Sequence, residues 1–262
     1  MNITFSHSLG LLLATLPFFA KAQTQVQAQT PSHTPPVIQW GISAGVNQYR
    51  EPGLMQLHGP ELGLHGRAYN LSAMPKVLLE GDIFLGMQHY SSTKTGSMDG
   101  VHNIETRWRA MVPVYANTPN QRGLYAGLGV HTLWNDLRGS SSTGNGGYER
   151  IARQLWLPVR WAGGFWEVET GVLVYGRHTS KLSQANTNPP SNDVVNTQKR
   201  GGYLQGKLNL QMNAQHMLSP YIRYTGLGDS NVVDNAYEPA SKRWQAGAVS
   251  YTHLTLPTTS RV

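Results

Sequence analysis

Asn103-Ile104-Glu105-Thr106-Arg107-Trp108-Arg109-Ala110-Met111-Val112 decides the fold by its alternation. Successive side chains of an extended chain point to opposite faces. Here Ile104, Trp108, Ala110, Val112 and the following Val114 fall on one face, with Asn103, Glu105, Arg107 and Arg109 on the other. Charges repeated along one face are tolerable only where that face is wet or internally paired. The opposite face suits an apolar surrounding.

The same period recurs on both sides of this stretch. Ile38, Trp40, Ile42, Ala44 and Val46 alternate with Gln39, Ser43 and Asn47, and Leu62 and Leu64 oppose Glu61, His65 and Arg67. Ile83, Leu85 and Met87 oppose Glu80, Asp82 and Phe84; Leu155, Leu157, Val159 and Trp161 oppose Gln154 and Arg160. Leu124, Ala126, Leu128 and Val130 form one further apolar face. Trp166, Val168, Val172 and Val174 oppose Glu167, Glu169 and Arg177, and Leu204 and Leu208 oppose Gln205 and Lys207. A ninth segment lies around Ser219 to Gly226 with Arg223, and a tenth begins near Arg243 with Trp244, Ala246 and Ala248.

Short connections (Leu71 to Pro75, Asn117 to Asn120, Ala162 to Gly164, Ala214 to Ser219) alternate with long ones. The long ones are Glu51 to Pro60, Ser91 to Gly100, Arg138 to Gly147, His178 to Arg200 and Leu227 to Lys242. Short turns on one side and long loops on the other are the habit of barrels that cross an outer membrane. The reading is all-β: a transmembrane antiparallel up-and-down barrel of about ten strands over 37–251, both ends on the periplasmic side. A soluble sandwich would place larger hydrophobes on the faces that here carry Arg, Glu, Lys and Asn.

Composition agrees. Of 262 residues only 39% are hydrophobic, as a barrel needing apolar residues at alternate positions allows. The 28 Gly, 12 Tyr and 7 Trp suit tight turns and aromatic girdles, and the lack of cysteine excludes disulfides and thiolate metal sites. Leu9 to Ala20 is an apolar run too short to span as a helix, followed by Ala20-Lys21-Ala22. It predicts a cleaved signal peptide over 1–22, though its first eight residues lack Lys and Arg. Residues 23–36 are polar and Pro-rich and read as a flexible periplasmic leader. The net charge of +7 is scattered, which points to anionic outer-membrane lipid and lipopolysaccharide and away from nucleic acid.

Tyr49-Arg50-Glu51-Pro52-Gly53-Leu54-Met55, with Gly59 and Gly63-Leu64, resembles the Y-x-E-P-x-x-M segment of a group of bacterial outer-membrane β-barrel proteins. Gly96-Ser97-Met98-Asp99-Gly100, Gly147-Tyr148-Glu149-Arg150, Leu155-Trp156-Leu157-Pro158, Pro220-Tyr221-Ile222-Arg223-Tyr224 and Tyr237-Glu238-Pro239 extend the resemblance over Ile38 to about Ala248. It implies a small barrel, folded by the barrel-assembly machinery, and carries no catalytic residue across. Residues 249–262 depart from it. They lack the alternating end and terminal aromatic that the group's last strand implies, Pro257 would interrupt ladder hydrogen bonding, and the run resembles translated adapter sequence. The expectation is a non-native tail and an incomplete final strand.

Approximate registers set Arg67 near Glu80, Asp82 near Arg109 and Arg160 near Glu167. With Glu105, Arg107, Glu169, Lys207 and Arg223 they predict a lumen filled by paired charges. Such a lumen favours a structural or surface-interaction role for a monomer without enzymatic activity, cofactor or metal. A narrow porin-like channel is the alternative, but mixed signs argue against an ion-selective ring. An outer-membrane hydrolase resembling the omptins is a third reading; Glu80-Gly81-Asp82 resembles their acidic pair, yet no Asp-x-His occurs. His65 and His131 are expected to point inward alone, and His89, His102 and His178 to sit at the outer rim. No converging Ser/His/acid set is expected there. The Ser- and Gly-rich run Gly139 to Gly147 and the Asn-, Pro- and Ser-rich run Gln184 to Asn196 read as loops where an extracellular ligand would bind.

Overall fold

A computed structural model describes residues 37–69, 77–117, 122–185, 187, 190–213 and 215–255. Its strands are β1 (Val37–Glu51), β2 (Met55–Tyr69), β3 (Leu78–Ser92), β4 (Gly96–Asn117), β5 (Arg122–Asp136), β6 (Glu149–Ala162) and β7 (Trp166–Ser180). There follow β8, in three segments (Val194–Gln198, Gly201–Leu208, Leu210–Gln211), β9 (His216–Leu227) and β10 (Ser241–Thr255). The segments of β8 keep one register against β7 and one against β9, so they act as a single interrupted strand. Every pairing is antiparallel between chain neighbours, and β10 closes on β1 from Val37↔Thr255 to Arg50↔Lys242. The result is a closed ten-stranded barrel, which leaves no sheet edge open.

The expected signal peptide and leader, the Leu71 to Pro75 turn and residues 256–262 lie outside the described residues. The final strand runs along β1 as far as Val37: Val249 pairs with Ser43 and Thr255 with Val37. Val249 and Tyr251 pack inside the barrel with Phe84, Met217 and Tyr221.

Three expected long loops are shorter. Glu51 to Pro60 is a hairpin turning over Pro52, Gly53 and Leu54, where Leu54 N–H donates to the Glu51 carbonyl at 3.0 Å. Gly53 sits at φ +77°, a region that glycine enters without steric cost. Ser91 to Gly100 likewise turns over Thr93–Thr95, the Ser92 hydroxyl accepting from the Lys94 and Thr95 amides. Within His178 to Arg200, Val194–Gln198 is strand. In each case cross-strand pairing continues beyond the residues whose hydrophobic alternation is visible.

The outward face carries the apolar alternation: Ile42, Leu64, Leu85, Leu128, Val172 and Leu204 are all more than half exposed. A solvent of lipid is what makes such a face stable. At the turn end Trp161 and Trp166 meet edge to face, and at the loop end Tyr224 and Trp244 lie tilted against each other with ring centroids 4.7 Å apart. These are the aromatic girdles flanking an apolar band.

A bulge at Leu155/Trp156 lets both Val174 and Tyr175 of β7 face outward. It reverses the alternation above that point. Arg177 is therefore exposed opposite Arg153, instead of facing the lumen as the simple period predicts. His178 is buried inside instead of lying at the rim.

Candidate functional site

The lumen is filled by charge. At the turn end, Arg67 of β2 forks onto Glu167 of β7 (Nη1–Oε1 3.1 Å, Nη2–Oε2 2.8 Å) and lies 2.6 Å from Glu80. Arg160 of β6 reaches Glu80 at 2.9 Å and Glu169 at 2.8 Å. Arg109 of β4 donates to Glu169 at 2.9 Å, lies 3.2 Å from Glu80 and also pairs with Asp82. Lys207 of β8 lies 3.2 Å from Glu167. Four cations thus interlock with four carboxylates (Glu80, Asp82, Glu167, Glu169), drawn from six different strands. Arg223 stacks on the Tyr203 ring at 3.7 Å and donates to Gln205.

Above this lies a second cluster. Arg107 donates from Nε to Glu105 at 2.6 Å and covers the Phe84 ring at 4.7 Å. Arg243 and His131 each lie 2.6 Å from Glu105. Gln245 bridges the two carboxylates, donating to both oxygens of Glu61 at 3.1 Å and to Glu105 at 3.0 Å.

Beside it stands a set that the sequence reading did not anticipate. His65 Nδ1 lies 2.8 Å from Asp82 Oδ1, and its Nε2 lies 2.8 Å from Ser43 Oγ. A carboxylate accepts only, so His65 Nδ1–H donates to Asp82, and with that tautomer the Ser43 hydroxyl donates to Nε2. This is the hydrogen-bond order of a nucleophile, a base and an orienting acid. Phe84 and Tyr251 stand edge-on to the imidazole, and Ser43 is only 7% exposed. A Cβ on Gly63 would fall 2.3 Å from Ser43 Oγ, so only glycine leaves room for the contact.

At the loop end, three of the stretches that carry the sequence resemblance meet on one guanidinium. Arg150 donates to Glu51 at 2.6 Å and to Glu238, with the Tyr49 hydroxyl at 3.5 Å and Met55 Sδ at 3.8 Å. Tyr49 in turn donates to Glu51 at 2.8 Å, and the Ser180 hydroxyl donates to Glu238. Glu238 belongs to the loop 228–240, which it anchors inside the mouth. Burial pushes its carboxyl up, but Arg150, His178 and the Ser180 hydrogen bond outweigh that and hold it down at about 2.

The neighbouring loops are bonded to one another. Ser142 N–H donates to the Ser97 carbonyl at 2.8 Å, pinning the Gly139 to Gly147 run onto the β3–β4 hairpin. Asn196 donates to the carbonyls of Asn231 and Ala236, and Gln198 to that of Gly228.

All eleven predicted lumen charges point inward, and each of the three anticipated pairs is within ion-pairing distance, Arg160–Glu167 at 3.7 Å. Glu51, Glu61, Arg150, Glu238, Arg243 and the bridging Gln245 were missed. Several of these lie at strand ends or in loops, where alternation gives no signal. His65 and His131 are inward but not alone. His89 is half-buried and pairs with Asp99 at 2.5 Å, and His102 is exposed.

Together the named lumen charges balance: Arg67, Arg107, Arg109, Arg150, Arg160, Lys207, Arg223 and Arg243 against Glu51, Glu61, Glu80, Asp82, Glu105, Glu167, Glu169 and Glu238. Between the second cluster and the mouth remains a cavity of about 30 Å³, bounded by Tyr49, His131, Asn135, Arg150, His178 and Arg243. It has room for a water or two and no more. Among the described residues no group of three or more His, Cys, Asp or Glu is placed to hold a metal ion.

No protein-family model and no curated protein matches the sequence. Solved structures do match in shape. The outer membrane protease OmpT from Escherichia coli is 12% identical, with 87% of this chain and 99% of that one covered at a TM-score of 0.50. The translocator domain of autotransporter NalP from Neisseria meningitidis is 10% identical, covering 86% and 90%, at 0.49. Neisserial surface protein A is 11% identical, covering 82% and 96%, at 0.36. The fold is that of bacterial outer-membrane β-barrels. At such identities the likeness concerns fold alone and assigns no activity.

Proposed function

We propose that this protein is a monomeric resident of a bacterial outer membrane with a structural or surface-interaction role, working through its outer loops and not through its lumen. The observation that carries this is the interlocked, charge-balanced interior, in which the cavity between the second cluster and the mouth measures only about 30 Å³. A channel needs a continuous wet path and, for ions, a field of one sign. Here eight cations meet eight carboxylates. The loops, cross-bonded over a rigid barrel, supply the surface on which a partner would act.

The experiment is single-channel recording of the chain in a planar bilayer, after a heat-dependent gel shift establishes folding. Silence supports the closed lumen; steady, reproducible openings would make the protein a narrow channel. A second reading, an envelope hydrolase, draws on Ser43, His65 and Asp82. It is disfavoured because Ser43 is only 7% exposed and the rings of Phe84 and Tyr251 stand against its base, His65.

A further inference from the structure

The outward face near the loop end contains a groove of about 390 Å³, bounded by Val46, His58, Pro60, Ile222, Trp244 and Ala246. Its origin is local. Ile222, Ala246, Val46 and Pro60 lie side by side in one register row across β9, β10, β1 and β2. The single methyl of Ala246 between larger neighbours leaves the trough. One row nearer the loops, Tyr224, Trp244, Gln48 and His58 stand in line, and the Tyr224–Trp244 ring pair marks the level where bilayer meets water.

Immediately above, Arg50 and Lys242 are directly paired across β1 and β10, and both are exposed. Like charges directly opposite on a sheet repel. Neither meets a carboxylate: Arg50 donates to the Gln48 side-chain oxygen at 2.8 and 3.2 Å, and the Lys242 side chain makes no hydrogen bond or ion pair among the described residues. Two juxtaposed cations at the top of an apolar trough fit an anionic headgroup whose acyl chain runs down the wall. A phosphate is the group that two such donors hold well.

We propose that β9, β10, β1 and β2 form a site for a phosphorylated glycolipid of the outer leaflet. Arg50 and Lys242 hold its phosphate and the Ala246 trough seats an acyl chain. This rests on the reading that the barrel lies in an outer membrane.

The test is native mass spectrometry of the folded chain in detergent, offered lipid A or the same lipid after enzymatic removal of its phosphates. The wild-type chain should retain lipid A at least ten-fold better than its dephosphorylated form. The double variant Arg50→Gln, Lys242→Gln should lose that preference, and Ala246→Phe should weaken retention of both lipids. The wild-type comparison of the two lipids needs no variant, so it decides even where a substitution blocks folding. Equal retention of both lipids by the wild-type chain overturns the site, as does a preference that survives the double variant. Displacement of lipid A by millimolar inorganic phosphate would also overturn it, reducing the cations to a general anion site. A chain that is soluble without detergent would remove the membrane reading itself; a detergent-dependent folded barrel without phosphate preference removes only the lipid site.

Discussion

Arg160 of β6 binds Glu80 of β3 at 2.9 Å, straight across the lumen between strands that share no hydrogen bond in the sheet. The contact is a strut, and Arg160 also carries Glu169. Taking the guanidinium away leaves two buried carboxylates short of a shared partner. Breaking one side of a buried ion pair costs about 3–5 kcal/mol. Arg160→Met should therefore lower the unfolding free energy from urea titration in vesicles by that order, and the midpoint with it. Glu80→Gln should cost less, because the amide still accepts a hydrogen bond. An unchanged midpoint for Arg160→Met would mean that water reaches the cluster and that the lumen is not closed.

Glu238 gives the mouth a defined pH response. Its carboxyl titrates at about 2 in the fold, against 4.5 when free. A depressed carboxylate contributes stability in full above its unfolded value and loses it as pH falls through the folded one. The docking of loop 228–240 should thus be intact above about pH 5 and should fade between 4.5 and 2. The difference of the two values corresponds to about 3 kcal/mol at 1.36 kcal/mol per unit. Hydrogen exchange of the loop amides at pH 7 and pH 3 reads this directly. Glu238→Gln should exchange fast at both values, and a wild-type loop equally protected at both would show that other contacts hold it.

How far the sequence reaches is clear from particular residues. Arg67, Glu80, Asp82 and Arg109 could be paired in advance because hairpin register follows from alternation within neighbouring strands. Arg160–Glu80 could not, because it spans the lumen and depends on barrel closure. Arg177 faces outward where alternation predicts the lumen, and His178 is buried inside, because one bulge reverses the period above it, and a bulge leaves no compositional mark at Leu155-Trp156. The Ser43–His65–Asp82 set escaped for a different reason: three residues on three strands share a depth only once two registers are fixed.

Leu128 separates the two faces of β5 energetically. It is 56% exposed on the outward side, whereas its strand neighbour His131 is buried against Glu105. A cation on the lipid face costs about 2–4 kcal/mol near the bilayer midplane. Leu128→Arg should destabilise the barrel by that amount when it is refolded into vesicles. The same substitution should be nearly silent if this face met water. Equilibrium refolding followed by tryptophan fluorescence distinguishes the two.

The Ser43–His65–Asp82 arrangement separates a walled-in polar set from a working nucleophile. A serine that attacks an acyl or phosphonyl centre needs space for the reagent beside Oγ, and here Ser43 is only 7% exposed, with Gly63 against its hydroxyl and Phe84 and Tyr251 against His65. A fluorophosphonate probe should therefore leave Ser43 unmodified in the folded barrel. The cost of altering the site should follow packing, not chemistry. Ser43→Ala removes one hydrogen bond and should cost about 1 kcal/mol. Gly63→Ala drives a methyl into Ser43 and His65 and should cost about 1–3 kcal/mol, the usual range for overpacking. Labelling of Ser43 that disappears in His65→Ala would reverse the argument, because only an accessible, base-activated serine reacts in that pattern; the barrel would then be an enzyme with its entrance in the lumen.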